Sequence, residues 1–248
     1  MLLGVFGDIH GNFEALTSIY DRLIRLGCQR IVCLGDIVGY GASPGECIDF
    51  LKEKGISCVK GNHDFFTLDH EEKIDWEMKD YSRDVIIWTQ GQLTEAQLNW
   101  LEDLPFSTKI DGIQFVHSSM EALEGEYWPY ILDAKTAQFH FYLQDCQVAF
   151  CGHIHIPLLF TCSENSGIKM EMLKSINLDL QSANKYLISP GAVGQPRDFD
   201  WRASSVMYDT VSGLVEPVRM EYDVAQSKKK IISAGLSTDL AERLSNGT

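Results

Sequence analysis

A chain of 248 residues, 45% hydrophobic and 23% charged, is long enough for one large globular domain with a sizeable core. Its formal charge of −14 disfavours duplex nucleic acid and other long polyanions, because affinity for a phosphate backbone comes from Lys and Arg. No run reaches the roughly 18 to 20 apolar residues that cross a bilayer, and Met1–Phe6 lacks the basic flank of a signal peptide, so no membrane partner is expected.

Leu2–Phe6 reads as a buried strand running into Gly7-Asp8-Ile9-His10. Asn12 is placed to cap a helix whose Phe13, Leu16, Ile19, Leu23 and Leu26 share one face, and Gly27 ends it. Arg30–Leu34 is a second strand, followed by Gly35-Asp36. Pro44–Lys54 is a helix entered through proline, and Ile56–Val59 a third strand before Gly61-Asn62-His63-Asp64. Strands alternating with helices imply a parallel sheet, whose ligands bind on loops at the carboxyl ends of the strands.

Phe65–Leu104, rich in acids, Trp and Tyr, reads as a helical insert, closing with a capping box at Thr94-Glu95-Ala96-Gln97. Phe106–Ile110 and Ile113–Val116 flank Asp111-Gly112, a hairpin signal, and the second of them ends at His117. A helix over Ala134–Leu143 is followed by a core strand, Val148–Phe150, that runs into Gly152-His153-Ile154-His155. From Leu158 onward, short strands and turns predict a second, antiparallel sheet, including a hairpin from Ser204 to Met220 around Ser212-Gly213. The tail from Val224 reads as helical, with Lys228, Lys229 and Lys230 as a solvated face. No linker separates these elements, so residues 1–248 are expected to form a single domain with an insert at about 65–104 and a helical tail from about 224. The cysteines (Cys28, Cys33, Cys47, Cys58, Cys146, Cys151 and Cys162) are odd in number and show no C-x-x-C spacing, which predicts a reduced, cytoplasmic protein.

The polar blocks carry the chemistry. Asp8 and His10 lie two apart, so in an extended segment both project to one side and can grip one ion. Gly7 and Gly11 permit the turns such a loop needs. Asp36 offers two carboxylate oxygens and suits a bridging position; Asn62 adds a carbonyl oxygen, and His117, His153 and His155 add imidazoles. Mixed nitrogen and oxygen ligation suits Mn, Fe, Zn, Ni or Co better than Ca or Mg. Each block alone is weak, since buried histidines and Gly-Asp turns are common in proteins with no metal. Arg197 either grips phosphate or pairs with Asp198 or Asp200. His140 reads as structural and His70 as solvent-exposed. Trp76, Trp88, Tyr127, Trp128 and Tyr130 either fill the core or line a pocket shaped by Phe65–Leu104 and Glu121–Tyr130.

In this order the blocks resemble the D-x-H, G-D, G-N-H-[DE], H, G-H-x-H pattern of calcineurin-like metallophosphoesterases. The resemblance covers positions 1 to about 200. Gly35–Gly41 and Ser189–Asp198 are similar to segments of small bacterial and archaeal members. It implies an α/β (α+β) fold: a four-layer β-sandwich flanked by helices, with the active site on loops at the carboxyl ends of the strands. It further implies one metal on Asp8, His10, Asp36 and His155, and a second on Asp36, Asn62, His117 and His153, with Mn favoured. In such enzymes a metal-bridging hydroxide attacks phosphorus directly. His63, as an imidazolium held by Asp64, would assist the leaving oxygen, and Asn62 and Arg197 would contact substrate. The second block lacks the Arg of the Ser/Thr phosphatases, and the third closes on Asp64 instead of Glu. These departures point to small phosphate esters, with diesters preferred. A phosphomonoesterase, a phosphoprotein phosphatase and a dinucleoside polyphosphate hydrolase stay open, as does a non-catalytic binding scaffold on the same fold.

Overall fold

The computed structural model describes residues 1–68, 80–121 and 127–248, with backbone alone for 80–82. Strand β1 (Leu2–Phe6) buries Leu3 and Val5 on one face and Phe6 on the other, so it needs cover on both sides. It pairs in parallel with β2 (Arg30–Cys33), which pairs in parallel with β3 (Ser57–Cys58). A second mixed sheet has the order β4 (Ser107–Ile110), β5 (Ile113–Val116), β6 (Val148–Cys151), β10 (Lys185–Pro190), β7 (Pro157–Ser163) and β8 (Gly167–Met172). The first sheet is completed on the other side of β1 by β11 (Ala203–Asp209), β12 (Leu214–Met220) and β9 (Ile176–Asn177).

The two sheets face each other across a core of Leu3, Val5, Val32, Phe115, Phe150, Ile188, Val206 and Tyr208. Phe115 and Phe150 stack there, 5.5 Å between centroids and 6° apart in plane. Helices α1 (Phe13–Arg25) and α2 (Pro44–Glu53) cover the outer face of the first sheet. Between β3 and β4 lie α3 (Asn62–Phe66), α4 (Asp80–Gln92) and α5 (Glu95–Glu102). Helix α6 (Ala134–Leu143) covers the outer face of the second sheet through Ala137 and Phe141. The result is the helix–sheet–sheet–helix sandwich that the resemblance implied.

Local signals set the element ends. The Asn12 side chain accepts from the Ala15 amide at 3.2 Å, and Thr94 and Gln97 cap each other's amides at 3.0 and 3.3 Å. Asp111 and Gly112 both have positive φ, 51° and 80°, as a two-residue hairpin of the right twist requires.

Three expectations change. The strand read at Ile56–Val59 is confined to Ser57 and Cys58: the Ile56 amide is held by the Leu51 carbonyl at 3.0 Å, and beyond Val59 the Lys60 amide turns to the Pro105 carbonyl at 2.8 Å. The carboxy-terminal strands do not make a sheet of their own. β11 runs antiparallel against the free side of β1, with Tyr208 opposite Leu3 and Val206 opposite Val5, while β7, β8 and β10 join the other sheet. The tail forms α7 (Val224–Ser233) and α8 (Thr238–Asn246), and Lys230 is no solvated residue: its ammonium binds Glu14 at 2.6 Å and Ser43 at 2.9 Å. His70 and Trp76 lie outside the described residues. No helix among the described residues is long and apolar enough to cross a membrane.

Candidate metal centre

The blocks converge beyond the carboxyl ends of β1, β2, β3, β5 and β6. Backbone hydrogen bonds lock the loops together: the Asp8 amide donates to Gly35 O at 2.9 Å, His10 to Asp36 O at 2.9 Å, and Gly194 to Asp8 O at 2.8 Å. The segment Ser189–Asp198 therefore lies against the first block.

Asp8 and His10 do not reach the same side through extended backbone. Their φ values are 52° and 49°, and Asp36, Tyr40, His153 and His155 also have positive φ, between 50° and 70°. Such backbone costs a non-glycine residue about 1–3 kcal/mol and persists only where its surroundings enforce it. Strain concentrated on one cluster marks that cluster as the functional one. The third block is also more ordered than a loop, because Asn62, His63 and Asp64 form the first turn of α3. Gly61 precedes them because a Cβ there would sit 2.2 Å from Asp36 Oδ1.

Two groups of ligand atoms result, each with all members within 4.8 Å of one another: Asp8, His10, Asp36 and His155, and Asp36, His117 and His153. Asp36 belongs to both. Its Oδ2 lies 3.6 Å from His10 Nε2 and 3.4 Å from His117 Nε2. Asn62 Oδ1 joins the second group, 3.0 Å from His117 Nε2. All these side chains are buried.

The donor set fits a divalent cation. In each histidine of the groups, one ring nitrogen faces a backbone carbonyl: His10 Nδ1 to Val38 at 3.2 Å, His117 Nδ1 to Leu34 at 2.8 Å, His153 Nε2 to Trp128 at 3.1 Å and His155 Nδ1 to Gln195 at 2.6 Å. A carbonyl only accepts, so that nitrogen carries the proton and the other presents a lone pair. His10 Nε2 and His155 Nε2 thus face each other with lone pairs at 3.1 Å, and His117 Nε2 and His153 Nδ1 do so at 3.3 Å. Lone pairs and carboxylates aimed at common points need positive charge between them, which metal ions supply.

Burial holds His10 and His155 well below the usual histidine range and pushes His153 down to about 3, keeping these rings neutral and able to ligate. His117 is the exception: burial opposes its charge, but the Asp36 and Asp8 carboxylates outweigh burial and raise it to about 9, so that a metal ion at its Nε2 would take the place of a proton. Asp36 stays well below the usual carboxylate range despite burial, because His117, His63 and His10 surround it. Asp8 rises to about 7, with burial the first cause.

His63 stands beside the first group, its ring 4.7 Å from that of His10. Burial first, and the Arg197 and His117 charges with it, push His63 down to about 4 against the pull of Asp36. It is neutral near pH 7, which corrects its reading as a resting imidazolium. Asp64 does not hold its ring. The Asp64 carboxylate accepts from the amides of Gly61 (2.9 Å), Ile37 (2.9 Å) and Val38 (3.2 Å), stitching the third block to the second. His63 Nδ1 is buried with no hydrogen-bond partner among the described residues.

Arg197 is not spent on a surface pair. Asp198 pairs with Arg219, and Asp200 with Arg202 at 2.6 Å, while the Arg197 guanidinium binds Gln195 Oε1 at 3.1 Å and contacts the Tyr130 hydroxyl. Two aromatics that sequence reasoning left between core and pocket stand at the centre: Tyr130 stacks on His153 at 4.0 Å, and Trp128 lies edge-on to His117 at 5.7 Å. Sequence reasoning missed Tyr40 altogether, although its ring lies 4.6 Å from His10 and 4.5 Å from His63. Its place between two glycines in the second block was the available signal. His140 lies in α6, outside both groups.

Residues 1–213 match the calcineurin-like phosphoesterase superfamily domain. An uncharacterized protein of Methanocaldococcus jannaschii, MJ0912, is 35% identical over 98% of this chain and 97% of its own length. The crystal structure of a metallophosphoesterase from Sphaerobacter thermophilus superposes with a TM-score of 0.85 at 33% identity, covering 100% of this chain and 99% of that one. The hypothetical protein PH1004 from Pyrococcus horikoshii OT3 shares the fold at a TM-score of 0.79 and 19% identity, covering 100% of this chain and 98% of its own. With these relatives and a buried His/Asp centre suited to divalent ions, the chain belongs to the calcineurin-like phosphoesterase superfamily and is a metal-dependent phosphoesterase.

Proposed function

We propose that this phosphoesterase hydrolyses small phosphate esters, diesters in preference to monoesters, at a centre of two divalent transition-metal ions. The observation that carries the reading is the sharing of Asp36 between two groups of inward-facing ligand atoms. Asp8, His10, Asp36 and His155 would hold one ion, and Asp36, Asn62, His117 and His153 the other. Bound there, such ions supply an acidified water as nucleophile and neutralise the phosphoryl oxygens.

The chain's own residues do the rest. Arg197, half-buried beside Tyr130, binds and orients the phosphate. A phosphodiester carries a single negative charge, which one guanidinium matches; a monoester dianion calls for more cationic contacts. Asn62, whose Oδ1 is 3.0 Å from His117 Nε2, would serve the second ion and a substrate oxygen. His63, neutral at rest, offers an N–H to the leaving oxygen, and an approaching phosphate raises its affinity for a proton. Asp64 acts through the backbone, fixing the turn that presents Asn62 and His63. Manganese is the favoured loading. A reducing cytoplasm suits seven cysteines that are all free. The charge of −14 favours small phosphorylated substrates over duplex nucleic acid.

The test is the ratio of kcat/KM for bis(p-nitrophenyl) phosphate to that for p-nitrophenyl phosphate, with metal content measured on the same Mn-loaded sample. The expected ratio exceeds one with two ions per chain. A ratio below one moves the assignment to monoesters, and full activity with a single ion per chain overturns the dinuclear centre.

A further inference from the structure

The two sheets have four edges. Those of the first sheet, β3 and β9, are two residues each, and β4 is four, whereas β8 is six residues long and has no proline. An unpaired edge strand is a template for another strand, and proteins normally blunt it by shortness, proline or charge. β8 is neither short nor broken by proline, and its two charges, on Lys169 and Glu171, are of opposite sign. Ile168, Met170 and Met172 share one of its faces, and Lys169 and Glu171 the other.

Ile168, Met170 and Met172 lie opposite Cys162, Phe160 and Leu158 of β7, on the sheet face that α6 covers. Met170 and Met172 are nevertheless 45% and 49% exposed. Beside them, α6 exposes Phe139 (65%), Tyr142 (85%) and Leu143. On a chain of charge −14, α6 and β8 together carry only Lys135, Lys169 and Glu171 as charged residues. An apolar strip of this kind marks an interaction surface.

We propose that β8 is the seam of a homodimer, in which two copies join edge to edge, antiparallel, about a two-fold axis through Met170. In that register Lys169 faces the second copy's Glu171, Glu171 faces the second copy's Lys169, Met170 meets its own mate and Ile168 meets Met172. The pairing keeps each residue opposite one of the same face and the same hydrogen-bonding direction. Neighbouring two-fold registers fail: centring on Lys169 sets lysine against lysine, and centring on Glu171 sets glutamate against glutamate. The two-fold axis places both α6 helices on one face of the joined sheet, flanking the methionine seam. A strip that pairs opposite charges with itself, on a surface that otherwise repels its own copy, selects a second copy over an acidic or a basic partner.

Sedimentation velocity tests this on the Mn-loaded wild type, Lys169→Glu, Glu171→Lys and the double variant Lys169→Glu/Glu171→Lys. The wild type is expected at twice the 28.0 kDa chain mass. Each single reversal sets like charges against each other twice at the seam and is expected to raise the dissociation constant at least about tenfold. The double variant restores both opposite-charge pairs and the dimer with them. Hydrolysis rate stays at the wild-type value throughout, since both side chains are exposed and away from the metal centre, and melting temperature falls only where the dimer is lost. A wild type that sediments as a single chain at its highest soluble concentration overturns the proposal. So does a dimer indifferent to the single reversals, or a double variant that stays dissociated.

Discussion

The Asp36 carboxylate divides its oxygens between His63 and the metal centre: Oδ1 accepts the His63 amide at 2.8 Å, while Oδ2 points at His10 and His117. One residue thus fixes the helix turn bearing Asn62 and His63 to both groups of ligand atoms. Asp36→Asn keeps one oxygen but removes the shared charge. The expected outcome is fewer than one ion per chain by elemental analysis and a loss of activity of at least about a thousandfold, the scale on which removed electrostatic groups act. A variant that keeps both ions and activity would refute the shared-ligand assignment.

Gly39 has φ of +89°, and a Cβ there would stand 2.3 Å from His63 Nδ1. Gly39→Ala therefore combines a left-handed backbone cost of about 1–2 kcal/mol with a clash against the His63 ring. We expect lower thermal stability and a kcat that falls much more than KM changes. Wild-type kcat in a folded Gly39→Ala would show that the position of His63 does not matter to turnover.

Arg197 holds no metal-facing atom in either group, so its removal separates binding from metal loading. Arg197→Ala should raise KM for a phosphodiester by roughly ten- to a hundredfold, as loss of a charge-assisted phosphate contact of about 1.5–3 kcal/mol implies. Metal content should be unchanged. Arg197→Lys should recover part of the loss, because lysine restores the charge and not the planar fork.

His140 carries a pH dependence that is independent of the metal centre. The Met120 amide donates to its Nδ1 at 3.3 Å, its Nε2 has no partner among the described residues, and burial, with Lys185 adding to it, pushes it down to about 4. Between pH 6.5 and 4 the unfolded histidine takes up a proton that the folded one refuses, so stability falls as pH falls through that window. His140→Gln removes the effect. Denaturant titrations should show the wild type losing about 3 kcal/mol more than the variant between pH 7 and 4. Parallel curves would mean that His140 is not the acid-sensitive group.

The convergence of these histidines and acids was legible because they are named by local signals: a histidine or acid immediately after an apolar strand run, at a spacing a loop can close. Asn12 and Thr94 announced their helices for the same reason, since a cap bonds three residues ahead. The pairing of β11 with β1 was not legible. Its partners are some 200 residues apart, and hydrophobic alternation marks a strand without naming its neighbour. Tyr40 escaped, and Tyr130 was left between core and pocket, because an aromatic residue in a loop has no periodicity to give away its direction. The protonation of His63 was misread because composition shows that a histidine exists, and only packing shows how little water reaches it.

The imidazoles of the centre are each anchored from behind by a main-chain carbonyl, at Val38, Leu34, Trp128 and Gln195. Their aim is therefore set by the folded backbone. A cage of this kind has little to gain from reshaping itself around one element. Where ligands are aimed by the backbone in this way, the choice among similar divalent ions falls to the supply of metal around the protein.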